Sequence, residues 1–159
     1  MAPDCDAETL LGEIFSKIPH RPPFLWVDQI IESGPEFIVA EKKIPEDLEL
    51  FNGHYPGNPL LPGVLICEAI FQTGALLLAE MLEKNTNAKQ IPGENNKKVP
   101  VLTKIRDARF KRPVRPGETI RLQVRLVDRL SSVCILKGSA EVDGKVAVKT
   151  EFSCALVAL

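Results

Sequence analysis

His54 and Glu68, fourteen positions apart, are the residues best placed by type and context to move protons. The chain has only two histidines, His20 and His54, and His54 lies in the run Gly53-His54-Tyr55-Pro56-Gly57-Asn58-Pro59-Leu60-Leu61-Pro62-Gly63. Pro56, Pro59 and Pro62 restrict the backbone there, while Gly57 and Gly63 permit close approach and unusual dihedrals. Such a segment holds a side chain in place without regular structure. Glu68 follows about five residues into an apolar run, flanked by Ile66, Cys67, Ala69 and Ile70, with Gln72 at i+4 able to orient it. Pro62 suits the first turn of a helix, so Gly63 and Val64 offer free N–H groups at its positive end. Those groups suit a developing oxyanion on a carbonyl. A base, an acid and a carbonyl polariser together fit removal of a proton α to a carbonyl with loss of a β-substituent. A loop histidine alone, or a glutamate near a helix start alone, is an ordinary structural feature; the conjunction carries the reading. Cys67 beside Glu68 reads as a small buried thiol rather than a nucleophile.

The elements that must hold these residues follow from periodicity. Thr9–Ile18 carries Leu10, Leu11, Ile14, Phe15 and Ile18 at helical spacing, with Thr9 a candidate cap, before Pro19, Pro22 and Pro23 stop it. Phe24–Glu32 and Glu36–Lys43 are β-rich runs split by the hairpin signal Ser33-Gly34-Pro35. Ile44–Pro62 is irregular, and a loop of this length in a compact domain is usually functional. The helix that carries Glu68 runs from Pro62 to about Leu82. From Val99 onward the pattern is strand-like: Val99–Phe110, Thr119–Leu130, Val133–Val142 and Lys145–Val157, with turns at Arg115–Glu118, Ser131-Ser132 and Asp143-Gly144. In the second of these, Ile120, Leu122, Val124 and Leu126 face one way and Arg121, Gln123, Arg125 and Val127 the other. This order predicts an α+β fold, one antiparallel sheet with a helix on one face. At 159 residues it is a single domain spanning 1–159, with 1–8 expected as a flexible N-terminus and the polar stretch 85–98 as a flexible surface loop.

Composition narrows the function classes. Val64–Leu82 could pass for a membrane span, but Glu68, Gln72 and Glu80 make a buried soluble helix the better reading. The first residues, Met1-Ala2-Pro3-Asp4, lack the basic and apolar regions of a signal peptide. Cys5, Cys67, Cys134 and Cys154 form no CxxC pair, which points to reduced thiols in a reducing, cytoplasmic compartment. Two histidines and scattered cysteines give no ligand cluster, so neither metal nor redox cofactor is expected. The net charge of −1 hides a dipolar split. Lys97–Arg129 holds eleven basic and three acidic residues, or +8, and the other 126 residues carry −9. That split points either to an acidic partner or to solvated strand faces balanced in space by the acidic remainder. Nucleic acid is a poor partner, because the basic residues lack interleaved aromatics.

The run Pro19-His20-Arg21-Pro22-Pro23-Phe24 leading to Leu25–Asp28, the run His54–Gln72, and Ala108–Gly117 (ARFKRPVRPG) resemble the (3R)-hydroxyacyl-[acyl-carrier-protein] dehydratases of type II fatty acid synthesis. The similarity covers about residues 14 to 157, and the H-Y-P-G-x-P-x-x-P-G-V-L-x-x-E-x-x-x-Q order is highly specific. The resemblance implies a hot-dog fold, a long helix wrapped by an antiparallel sheet. It implies His54 as catalytic base, Glu68 as catalytic acid, and the Gly63 and Val64 amides as thioester-carbonyl donors, with Gln72, Tyr55 and Gly57 in support. A glutamate at 68 resembles the plain dehydratases rather than those that also isomerise. It further implies an acyl carrier protein as partner, docking on Lys111, Arg112 and Arg115, and a homodimer with shared active sites assembled as a trimer of dimers. Lys104-Ile105-Arg106 stands where many members carry Gly-Ile-Asp, and Tyr55 replaces the commoner Phe. The competing readings are a hot-dog acyl thioesterase, a coenzyme A-linked enoyl hydratase, or a non-catalytic acyl-carrier binding protein.

Overall fold

The computed structural model describes residues 7–85 and 98–158. In chain order the elements are helix α1 (Ala7–Lys17), strands β1 (Gln29–Ser33) and β2 (Phe37–Lys43), a 3-10 turn (Glu49–Asn52), helix α2 (Gly63–Asn85), and strands β3 (Lys98–Phe110), β4 (Thr119–Leu130), β5 (Val133–Val142) and β6 (Lys145–Ala158). All six strands form one antiparallel sheet in the order β1-β2-β4-β5-β6-β3. α2 lies against β2 through β6. This is the sheet and helix that the element order predicts, in the hot-dog arrangement that the resemblance implies.

The arrangement follows from α2. Its residues from Ile66 to Glu80 are buried with the single exception of Glu68, and a helix apolar on all sides has to be covered on all sides. By length and composition it could cross a membrane, but here the sheet covers it. Ile38, Leu122, Val124, Leu136 and Phe152 meet Ile70, Leu76 and Leu77 in one continuous core. The predicted alternation of β4 is observed, with Ile120, Leu122 and Val124 buried and Arg121 and Arg125 exposed, up to a bulge between Leu126 and Asp128. α1 closes one end of the helix. Its Lys17 Nζ reaches Glu80 Oε1 at 3.0 Å and Glu13 Oε1 at 3.2 Å. Burial opposes the charge on Lys17, but the two carboxylates outweigh it and raise its pKa.

Three expectations shift in detail. Thr9 sits inside α1 rather than capping it, because the helix already runs from Ala7. Of the Phe24–Glu32 run only the end from Gln29 is strand, in β1 (Gln29–Ser33). Leu25, Trp26 and Val27 are buried yet follow Pro22-Pro23 as irregular chain, and the Gln72 side chain takes the Trp26 N–H and the Phe24 carbonyl in place of a neighbouring strand. α2 continues to Asn85, three residues beyond the expected end. The N-terminal stretch 1–6 and the polar segment 86–97 lie outside the described residues.

Helix and sheet approach most closely at glycines. A Cβ on Gly138 would collide with Ile70 Cγ2, and one on Gly74 would lie 2.8 Å from Phe152 Cζ. Overpacking a filled core costs about 1–3 kcal/mol. Gly138→Ala should therefore lower the urea midpoint by that amount of stability, whereas Gly12→Ala, with open space around it, should not destabilise.

Candidate active site

The loop before α2 is locked by local bonds. The His54 N–H donates to Leu50 O (3.0 Å), closing the 3-10 turn, and the Asn58 N–H donates to Tyr55 O (2.9 Å). Tyr55 and Gly57 both take left-handed backbone, at φ 58° and 81°. For Tyr55 this costs about 1–2 kcal/mol, and its ring stands edge-on to His54 with centroids 4.8 Å apart. His54 Nδ1 lies 2.8 Å from Leu60 O. A carbonyl only accepts, so Nδ1 carries the proton and Nε2 keeps its lone pair. The half-buried imidazole is thus fixed in orientation and in tautomer.

Glu68 lies in the second turn of α2. Gln72, one turn on and 1% exposed, donates from Nε2 to Glu68 Oε1 (2.9 Å) and to Phe24 O (2.8 Å), while its Oε1 accepts from Trp26 N–H (2.7 Å). The carboxyl therefore does not end among its apolar sequence neighbours: it is 23% exposed and meets Gln72 and His20, whose Nε2 is 3.6 Å from Glu68 Oε1. His20 was not singled out from sequence. The available signal was that it is the other of only two histidines, inside the Pro19–Phe24 run.

At the start of α2, the N–H groups of Leu65 and Ile66 both reach Pro62 O (3.0 and 3.3 Å). No acceptor among the described residues meets the Gly63 or Val64 N–H, so these are the open donors of the helix end. The Phe110 ring covers Gly63 so closely that a Cβ there would lie 2.6 Å from Cε1. The Val64 side chain is 71% exposed.

Among the described residues, no hydrogen bond or ion pair joins His54 to Glu68. The structure thus brings Glu68, Gln72 and His20 together, and separately His54, Tyr55 and Gly57. The basic segment sits beside the histidine loop: the Leu61 N–H donates to Val114 O (2.8 Å), and Arg115 Nη1 to Asn58 Oδ1 (2.7 Å). Lys111 is exposed. Arg112 is half-buried and spends its guanidinium inside the fold, on Val142 O (3.0 Å) and Glu118 Oε1 (3.1 Å). Acids balance part of the positive segment in space, as in Arg106–Glu151, Arg109–Asp107 and Arg121–Glu41.

The thiols offer no nucleophile. Cys67, Cys134 and Cys154 are buried and free; burial pushes the Cys67 thiol up and, aided by Cys134 and Glu68, pushes Cys154 up to about 12. Cys5 is outside the described residues. Among the described residues no three His, Cys, Asp or Glu side chains converge to hold a metal. A groove of about 620 Å³ on the outer sheet face, flanked by Arg109, Arg125, Lys137 and Lys149, includes none of His54, Glu68 or Gln72.

The curved sheet around a buried helix, with a helix N-terminus and a carboxyl on that helix, defines a hot-dog protein. A dehydratase heterocomplex, ApeI:P from Xenorhabdus doucetiae, superposes with a TM-score of 0.72 over 90% of each chain at 17% identity, which shows the shared fold. The FabA-like domain model matches residues 18–151, and the chain belongs to that family. It is 42% identical over 148 residues, 92% of this chain and 87% of the relative, to the 3-hydroxyacyl-[acyl-carrier-protein] dehydratase FabZ of Caulobacter vibrioides (strain NA1000 / CB15N). It is 41% identical over 144 residues, 90% of this chain and 95% of the relative, to FabZ of Ligilactobacillus salivarius (strain UCC118).

Replacing Gln72 with leucine removes the partners of a buried N–H and a carbonyl. Each orphaned group costs about 1–3 kcal/mol. Denaturant melts of Gln72→Leu should show a stability loss in that range or above, larger than that of Gln29→Leu, whose half-buried side-chain amide meets Glu41 alone among the described residues.

Proposed function

We infer that this chain removes water from a (3R)-hydroxyacyl-[acyl-carrier-protein] to give the trans-2-enoyl thioester in fatty acid synthesis. It is a hydro-lyase of the kind its relatives are named for. The observation that carries the mechanism is the His54 tautomer: Nδ1–H is spent on Leu60 O, so Nε2 is available as base. His54 Nε2 takes the α-proton, and the C–H pair becomes the new C=C bond. The β-carbon–oxygen bond breaks as the protonated Glu68 carboxyl gives its proton to the departing hydroxyl, which leaves as water. The Gly63 and Val64 N–H groups hold the thioester oxygen while charge gathers on it. Imidazolium and carboxylate remain, and return of the proton to Glu68 resets the site.

The working unit in this reading is a homodimer, with each site made of His54 from one protomer and Glu68 from its partner, assembled further as a trimer of dimers. Two observations support it. Among the described residues no hydrogen bond or ion pair links the two side chains within one chain, and β3, thirteen residues long, is a sheet edge with Val101, Leu102, Ile105 and Phe110 exposed. A long apolar edge of this kind invites pairing with another chain, and a two-fold axis would make two equivalent sites. Lys111 and Arg115, with Arg112 bracing the strand end, are our candidates for the surface that receives the carrier protein. Tyr55 and Gly57 shape the turn that aims His54. The buried free thiols agree with a cytoplasmic setting.

Following enoyl absorbance with 3-hydroxyacyl thioesters tests the reaction. His54→Ala and Glu68→Ala should each lower kcat by roughly 10²-fold or more while remaining folded; full activity in His54→Ala would end the assignment. Co-refolding the two inactive variants should restore about a quarter of wild-type activity if sites are shared, and nothing if each chain holds its own. Charge reversal at Lys111, whose exposed side chain makes no bond to the histidine loop among the described residues, should raise KM for carrier-linked substrate, leave pantetheine thioesters nearly unchanged, and matter less at high salt. Equal losses with both substrates would assign this residue to the fold.

A further inference from the structure

His20 is the titratable group at the site that the mechanism above leaves without a task. We propose that His20 is a positioning residue that, together with Gln72, reserves Oε1 of Glu68 so that Oε2 is the oxygen that carries the transferred proton. The proposal rests on the dehydratase reading and on three features of the structure.

The first is placement. His20 Nε2 faces the same oxygen, Oε1, that Gln72 Nε2 already binds, and among the described residues nothing bonds Oε2. At 3.6 Å the imidazole is in contact with the carboxyl without yet making a hydrogen bond, and catalytic bonds of this kind commonly tighten only when substrate is bound.

The second is the tautomer. His20 Nδ1 is fully buried and has no hydrogen-bond partner among the described residues. A proton there would be an unsatisfied buried donor, which is costly, whereas a bare lone pair is tolerated better. The proton therefore belongs on Nε2, the nitrogen that faces Glu68. An imidazolium would need both protons, so the same geometry keeps the ring neutral. Burial pushes its pKa down, the Glu68 charge acts the other way, and Arg21 adds to the lowering.

The third is the frame. Arg21 clamps the His20 backbone to the end of α1: Nη1 donates to His20 O (2.7 Å) and Ile18 O (2.8 Å), Nη2 donates to Phe15 O (3.0 Å), and the guanidinium lies 4.4 Å from the centre of the Phe15 ring. Phe24 stacks beside the imidazole at 6.3 Å, and its carbonyl is held by the same Gln72. The ring is thus fixed from the chain on one side and from α2 on the other. A neutral donor at this point directs the carboxyl without placing a fixed positive charge beside it.

The test compares His20→Phe, which keeps a ring and removes the donor, with His20→Gln, which restores a neutral N–H at similar reach. Steady-state dehydration of a 3-hydroxyacyl thioester is measured beside wild type, with thermal melts of each protein. His20→Phe should lower kcat about tenfold with KM within about twofold, and His20→Gln should recover most of that loss. If His20→Phe does not fold, His20→Ala supplies the comparison. A folded donor-free variant with wild-type kcat would overturn the proposal, and so would a folded His20→Gln as slow as His20→Phe, since packing alone would then account for the loss. An inactive wild type would overturn the dehydratase reading and this proposal with it, whereas an active wild type beside an unaffected His20→Phe overturns the role of His20 alone.

Discussion

Burial of α2 is the constraint on which the rest depends. A helix with apolar side chains on every face cannot be stable in water, and a single curved sheet is an economical cover for it. Covering it requires backbone-to-backbone approach, which Gly74 and Gly138 allow. It also requires that each polar group carried inside be answered. Glu80 is answered by Lys17, and Gln72 by the chain at Phe24 and Trp26. Glu68 is the one residue between Ile66 and Glu80 that escapes full burial. A carboxyl becomes useful for chemistry because its helix is otherwise sealed.

Gln72 shows how packing and chemistry share atoms. One amide substitutes for a missing strand beside Phe24–Trp26 and holds the Glu68 carboxyl. The same segment presents His20. The loop that leads into α2 uses the opposite means, left-handed backbone and proline, to hold His54 without any helix or sheet around it. The two halves of the proposed site are thus stiff for unrelated reasons.

Much of this was legible in the residues. The four C-terminal strands and α2 show in the periodicity, because alternation in β4 and continuous apolarity in α2 are direct imprints of one-sided and all-round burial. His54, Glu68 and the open amides of Gly63 and Val64 were legible from the proline and glycine pattern. Phe24–Val27 reads as strand because apolar, β-rich composition reports burial, but the partner for its hydrogen bonds is a side chain forty-six residues from Trp26. The pairing of His20 with Glu68 leaves no local mark for the same kind of reason: the two are distant in sequence. The resemblance implies Arg112 as a carrier-docking charge, and its partners within the fold, Val142 O and Glu118, are set by tertiary contact that no local pattern shows.

The bonds Leu61 N–H to Val114 O and Arg115 to Asn58 have a consequence for how such a protein can change over generations. They tie the histidine loop to the basic strand end, so, if Arg115 receives the partner as proposed, a substitution there also disturbs the loop that holds His54. Changes on the two segments should then be epistatic rather than independent. On that reading, a lineage drifting toward a new partner would move through paired replacements at 58 and 115, and the placement of His54 would limit which pairs survive.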